Sequence, residues 1–259
     1  MQSMAPHPPT KLPPPSVFAG VLPTAAEALE VSGIRHRSAL MALGDRGAIA
    51  ADVVARVFET IATNWRQARL GSGGSSRQNW RWYEPQLYLA AHNTSPEVKL
   101  ERAIAAAGGG WSNQVPICSG VAGPCADRRR AIDLVHKVGE GHFAFVELKI
   151  ASDTPLYAAI EIIGYCCVWL LSRGEPQSAE RELLAAQQVD LVVLAPAAYY
   201  ARFRLDGLAA ALNAQISAMG RAHGVKLAFR FEVLPDALTH DPLPPPREIL
   251  ALLDQRERL

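Results

Sequence analysis

The sequence predicts an α/β protein, with a mixed central sheet flanked by helices and a helical extension ahead of it. Three observations predict this. Apolar runs of strand length recur at 113–118, 131–138, 142–150, 189–196 and 226–234. The last three are separated by helical stretches, and strand–helix–strand order implies crossover connections and a parallel or mixed sheet. Residues 139–141, Gly-Glu-Gly, join two neighbouring apolar runs as a hairpin would.

The elements follow in order. Residues 1–16 are proline-rich and expected to be disordered or extended. Residues 17–94 form the extension, with helices over 24–43 and 45–70 and a flexible Gly/Ser loop at 71–76. That loop lacks the Lys-Ser/Thr ending of a phosphate-binding loop and reads as a hinge or linker. Asn79-Trp80-Arg81-Trp82-Tyr83 mixes aromatic and basic residues, which suits either nucleic-acid stacking or packing of the extension onto the core. A core over 95–234 opens with a helix: Ser95 caps it, Pro96 takes the first turn, and Gly108-Gly109-Gly110 stop it. Thr154-Pro155 open a second, strongly apolar helix whose only charge is Glu161. Residues 205–222 form a third. Residues 235–259 are a linker and a terminal helix over 247–257, and both chain ends are expected to be mobile.

Composition bounds the reading without deciding it. At 259 residues the chain can bury a sizeable core, and one domain with extensions is expected. A net charge of +1 gives no global signature of a nucleic-acid binder. Basic clusters are local: Arg128-Arg129-Arg130, Arg35-His36-Arg37, and Arg77 with Arg81. Of the four cysteines, Cys166-Cys167 read as core packing, and Cys118 and Cys125 lack zinc spacing. No signal-peptide pattern is visible and no apolar run is long enough to span a bilayer, so a cytoplasmic protein without membrane association is expected.

The chemistry lies in the hairpin. Asp133 sits inside one apolar run and Glu147 and Lys149 inside the next, and buried charges need partners or a task. A three-residue loop at 139–141 pairs Val138 with His142, and the same register sets Asp133 opposite Glu147, with Cβ atoms about 5 Å apart. Glu147 and Lys149 share a face by strand alternation. A one-residue slip would separate the two carboxylates. Val135, Phe143 and Phe145 on the same face predict that it is covered, which argues against an exposed ion-pair network. Two carboxylates this close need a cation between them, and oxygen donors suit Mg²⁺.

The set Asp133…Glu147-Leu148-Lys149 resembles the PD-(D/E)XK nuclease superfamily. Ile132 stands where that family's proline would be. The resemblance covers residues 95–234 and implies a restriction-endonuclease-like core, ordered α-β-β-β-α-β. It further implies a metal-dependent nuclease hydrolysing phosphodiester bonds, as an endodeoxyribonuclease, with DNA as substrate and RNA as an alternative. Glu101, Asp133 and Glu147 would hold Mg²⁺, with Mn²⁺ as a substitute, and Lys149 would serve the nucleophile. Glu101 fits the family's helical glutamate better than Glu97, which the helix dipole explains. Tyr157 and Glu161 fall on one helical stripe, where Glu161 could order Lys149 or pair with an arginine. Arg128, Arg129, Arg130, Arg77 and Arg81 are the candidate phosphate contacts. The different-class alternative is a catalytically silent module binding nucleic acid or protein. The extension could act as a dimerisation element, partner dock or substrate clamp.

Overall fold

The structure, a computed structural model, describes residues 16–46, 49–71, 75–90, 93–123, 127–175 and 181–259. The proline-rich segment through residue 15, positions 72–74 of the Gly/Ser loop, and Cys125 lie outside them.

Six strands form one open mixed sheet whose spatial order follows the chain: β1 (Trp111–Pro116), β2 (Ala131–Gly139), β3 (His142–Leu148), β4 (Gln188–Pro196), β5 (Lys226–Leu234) and β6 (Glu257–Arg258). The first two pairings and the last are antiparallel; β3–β4 and β4–β5 are parallel. The helices are α1 (Val21–Ala28), α2 (Arg37–Arg46), α3 (Val53–Gly71), α4 (Pro96–Ala107), α5 (Pro155–Ser172), α6 (Glu182–Ala185), α7 (Ala197–Tyr200), α8 (Asp206–Ala222) and α9 (Pro246–Leu253). One sheet face packs on α5, α8, α1 and α3, and the other on α4 and α9. The fold is therefore α/β, three layers deep. In β4, the Val189–Ala195 run is buried throughout, as a central parallel strand covered on both faces must be.

The core helices start where capping chemistry places them. The Ser95 hydroxyl accepts the N–H of Val98 and Thr154 that of Tyr157, each ahead of a proline in the first turn. α5 is apolar all round and therefore buried all round: only Glu161 and Leu171 escape full burial. Gly164 admits Phe18 there, since a Cβ would lie 3.0 Å from the Phe18 ring.

Several boundaries differ from expectation. The helix expected over 24–43 is two, α1 and α2, because the chain turns left-handed at Glu30 (φ 53°) and meets the helix-breaking Ser32-Gly33 pair. The helix expected from residue 45 begins at Val53. The first strand lies two residues earlier than expected. β3 ends at Leu148, so Lys149 follows the strand, its N–H donating to the Leu194 carbonyl. The terminal helix stops at Leu253, and β6 then pairs with β5 and ties down the end of the chain.

The extension is part of the core. α1 and α3 share one apolar cluster with α5, and Asn64 on α3 donates to the carbonyls of Val17 and Ala19 at 3.0 and 2.7 Å. Ser16, expected in the disordered tail, donates to Asp127. Trp80 stacks on Phe145 and Trp82 meets Phe143 edge-on, so this aromatic segment packs onto the core.

Candidate active site

Two strands that part create the site. β2 and β3 hold the expected register from Lys137–Phe143 to Leu134–Val146. At the tip, Gly139 pairs with His142 after an irregularity at Val138, so the loop is Glu140-Gly141 rather than three residues. Gly141 takes the left-handed conformation (φ 61°) the turn requires. Beyond Leu134, β2 pairs only with β1; beyond Val146, β3 pairs only with β4. The N–H of Leu148 has lost its strand acceptor and donates to Asp133 Oδ2 at 3.1 Å.

Asp133 and Glu147 meet in this opening, each in the other's electrostatic field. Burial lifts Asp133 to about 6, against the pull of Lys149 and the Leu148 N–H. Burial, and then the Asp133 charge, hold Glu147 well above the usual carboxylate range. Glu147 is only 2% exposed; its Oε1 accepts from Lys149 Nζ at 2.7 Å, while its Oε2 has no hydrogen-bond partner. Desolvation opposes the charge on Lys149, but Glu147 and Asp133 overcome it and raise its pKa. Lys149 is therefore a fixed cation here.

Glu161 braces Lys149 from α5. Its Oε2 lies 3.9 Å from Lys149 Nζ, and its Oε1 accepts from Arg130 (3.1 Å), Tyr157 (3.2 Å) and Tyr165 (3.0 Å). Glu161 thus pairs with Arg130 and lies at the outer edge of ion-pair distance from Lys149. Burial raises the Tyr157 and Tyr165 pKa values, so both hydroxyls stay protonated donors.

Glu101 reaches the site differently. It is 3% exposed and accepts from Arg102 (2.7 Å), Asn113 (2.8 Å) and Gln114 (3.1 Å). Burial, then the nearby Asp133 charge, raises it to about 7. Glu97 accepts from the Ile150 N–H (3.0 Å) and the Ser152 hydroxyl (2.7 Å), fixing the loop after β3. Burial pushes Glu97 up, but these donors outweigh it and hold the group low.

Of the five candidate phosphate contacts, Arg130 is bonded to a site carboxylate, Glu161, and it also lies over the Phe18 ring. Arg128 and Arg129 are exposed beside it. Arg81 pairs with Glu84, and the Arg77 carbonyl accepts from Arg181. Asn113, Gln114 and Tyr199 are neighbours that sequence reasoning missed. Two amide side chains in an apolar strand were the available signal for the first two. The register places Gln114 beside Asp133, and Gln114 is left-handed (φ 49°). Here the strand pair changes faces: Trp111 and Leu134 pack toward α4, whereas Val115 and Ile132 pack toward α5.

A hard divalent cation fits part of this donor set. Asp133 and Glu147 are adjacent, mutually repelling oxygen donors, and Glu147 Oε2 is buried without a partner. Among the described residues, however, no three Asp, Glu, His or Cys side chains gather as a ready cation cage. Glu101 is turned to its amide and arginine partners, so of the three expected ligands only two meet. Cys118, Cys166 and Cys167 are buried and unpaired. In comparisons with known proteins, the chain matches no family model, no curated protein and no solved structure.

Proposed function

We propose that this chain is a metal-dependent nuclease of the restriction-endonuclease-like fold, cutting phosphodiester bonds within DNA. One observation carries this reading: Asp133 and Glu147 meet where β2 and β3 part, with Lys149 on Glu147 and the other Glu147 oxygen buried without a partner. The order α4-β1-β2-β3-α5-β4, with a mixed sheet, supports the fold.

Asp133 and Glu147 would hold Mg²⁺ or Mn²⁺, with Glu101 close behind. Such an ion, when bound there, would offset the charge that builds on the phosphate and would acidify water. The chain's own groups do the rest. Lys149, kept charged by its two carboxylate neighbours, donates to the attacking water or to a phosphate oxygen. Glu161, held by two tyrosine hydroxyls and Arg130, fixes that ammonium in place. Glu101, held by Arg102, Asn113 and Gln114, stands behind Asp133 and adds negative charge there. Water would attack phosphorus in line and release its proton to solvent, and the 3′ oxygen would leave with a proton from solvent to give a 5′ phosphate.

A silent binding module is the second reading, favoured by the absence of a three-ligand cage among the described residues. The test is incubation with supercoiled, linear and single-stranded DNA, and with RNA, in Mg²⁺, Mn²⁺ or EDTA. Metal-dependent DNA cleavage, lost in Asp133→Ala, is expected. Cleavage that survives both Asp133→Ala and Lys149→Ala would overturn the site. Nucleic-acid binding with no cleavage under any condition would leave the silent module standing.

A further inference from the structure

A cleft of about 300 Å³ opens past the end of β3, between the start of α2, the β3–α5 loop and the α7 turn. Arg37, Ile150, Asp153, Tyr199 and Arg202 line it. Ile150 follows Lys149 directly, so the cleft begins one residue from the candidate lysine, a step of about 3.8 Å along the chain.

Its charges are unbalanced. Asp153 is already neutralised by Arg35, whose guanidinium sits 2.7 Å from it and stacks on Tyr157. Neither Arg37 nor Arg202 has an ion-pair partner among the described residues, and both are exposed. The Tyr199 hydroxyl is shielded from solvent and lacks a hydrogen-bond partner, although it lies in the fields of Lys149, Asp153, Glu97 and Glu147. A buried hydroxyl without a partner is costly unless a ligand supplies one. Two unpaired guanidinium forks on the cleft, with an unpartnered hydroxyl behind its wall, are donors that a phosphate oxyanion takes.

We propose that this cleft is a second phosphate subsite, in which Arg37, Arg202 and Tyr199 hold a backbone phosphodiester adjacent to the bond being cut. The assignment rests on the nuclease reading and adds a direction to it. The strand runs from the opening between β2 and β3 across Ile150 toward α7. The chemistry requires a phosphate and no particular base, so the subsite positions the strand without reading sequence.

The test measures binding of a labelled duplex oligonucleotide in EDTA across a salt series, for the parent and for Arg37→Ala/Arg202→Ala. The double variant should bind about tenfold more weakly at low salt, and its log–log salt slope should be shallower by about two. Thermal melting should be unchanged, since both side chains are exposed. In parallel, inorganic phosphate is titrated while the Arg37 and Arg202 side-chain NMR signals are followed. If the double variant keeps the parent's affinity and slope, the subsite is overturned and the nuclease reading stands. If the parent binds no nucleic acid while phosphate still shifts both arginine signals, the cleft takes a free anion, and both the nuclease reading and the backbone assignment fall. If neither probe binds, both fall together.

Discussion

The backbone N–H of Leu148 donates to the Asp133 carboxylate at 3.1 Å, so a side chain stands where a neighbouring strand's carbonyl would otherwise be. The bond marks where β2 and β3 separate, and it aims one Asp133 oxygen at the backbone while the carboxyl still meets Glu147. A strand opening held by a side chain keeps its shape without a ligand. Under the nuclease reading, the site is preorganised rather than assembled by substrate.

Asp133→Asn tests charge without removing that acceptor. Under the nuclease reading, cleavage should fall by about 10²-fold or more. Stability should move the other way. The folded pKa is raised from 3.8 to about 6, so the proton-dependent stability is fully present below 3.8 and is lost as pH rises through 6. The parent therefore carries a penalty at pH 8 that the variant lacks, on the order of 1–3 kcal/mol. Urea unfolding at pH 8 in EDTA should show Asp133→Asn more stable, with the gain gone at pH 3.5. Saturating Mg²⁺ should raise the parent's melting temperature and leave the variant's unchanged.

Lys149→Met removes the cation and leaves Glu147 buried with no partner on either oxygen. Breaking a buried pair on one side costs about 3–5 kcal/mol. The loss should shrink as pH falls and Glu147 takes up a proton. Lys149→Met/Glu147→Gln should recover much of the stability and none of the cleavage. If the single variant is as stable at pH 8 as the parent, the pair is not buried as described.

Glu161→Gln keeps an oxygen for the tyrosine hydroxyls but removes the charge facing Lys149 and Arg130. Glu161 acts through Lys149, so kcat should drop by about tenfold with KM nearly unchanged. Equal loss in KM and kcat/KM would assign it to substrate binding instead.

Much of this was legible because it is local. The loop expected at 139–141 gave the β2–β3 register that holds from Lys137–Phe143 to Leu134–Val146, and Ser95 and Thr154 announced their helices. The hairpin tip was misplaced because the irregularity at Val138 draws Gly139 into the pairing. The position of Glu101 depends on amides from a strand ten or more residues away, and no spacing rule encodes that. Tyr199 is harder still: its link to Lys149 exists only once β4 lies beside β3.

Gln114→Gly separates strain from contact. A left-handed glutamine is strained and glycine is not, so the backbone should gain about 1 kcal/mol while Glu101 loses a donor. Stability near that of the parent with weakened activity is expected, checked by thermal melting and cleavage rate. Gln114→Asn, which tolerates the same backbone better than most residues, should fall between.

α5 is long and apolar enough to cross a membrane by length and composition, yet it is the best-covered helix of the fold. Only part of its cover precedes it: α1, α3 and β3 are made first, whereas β4, which closes its other side, ends at Pro196. At about 5–20 residues per second, a ribosome leaves that side of the helix open for roughly 1–5 s. During that interval the nascent chain presents a segment that chaperones or a membrane could take up. A truncation between Ser172 and Pro196 would make that exposure permanent. β4, which carries none of the candidate catalytic carboxylates, thus shields the helix that braces the candidate lysine.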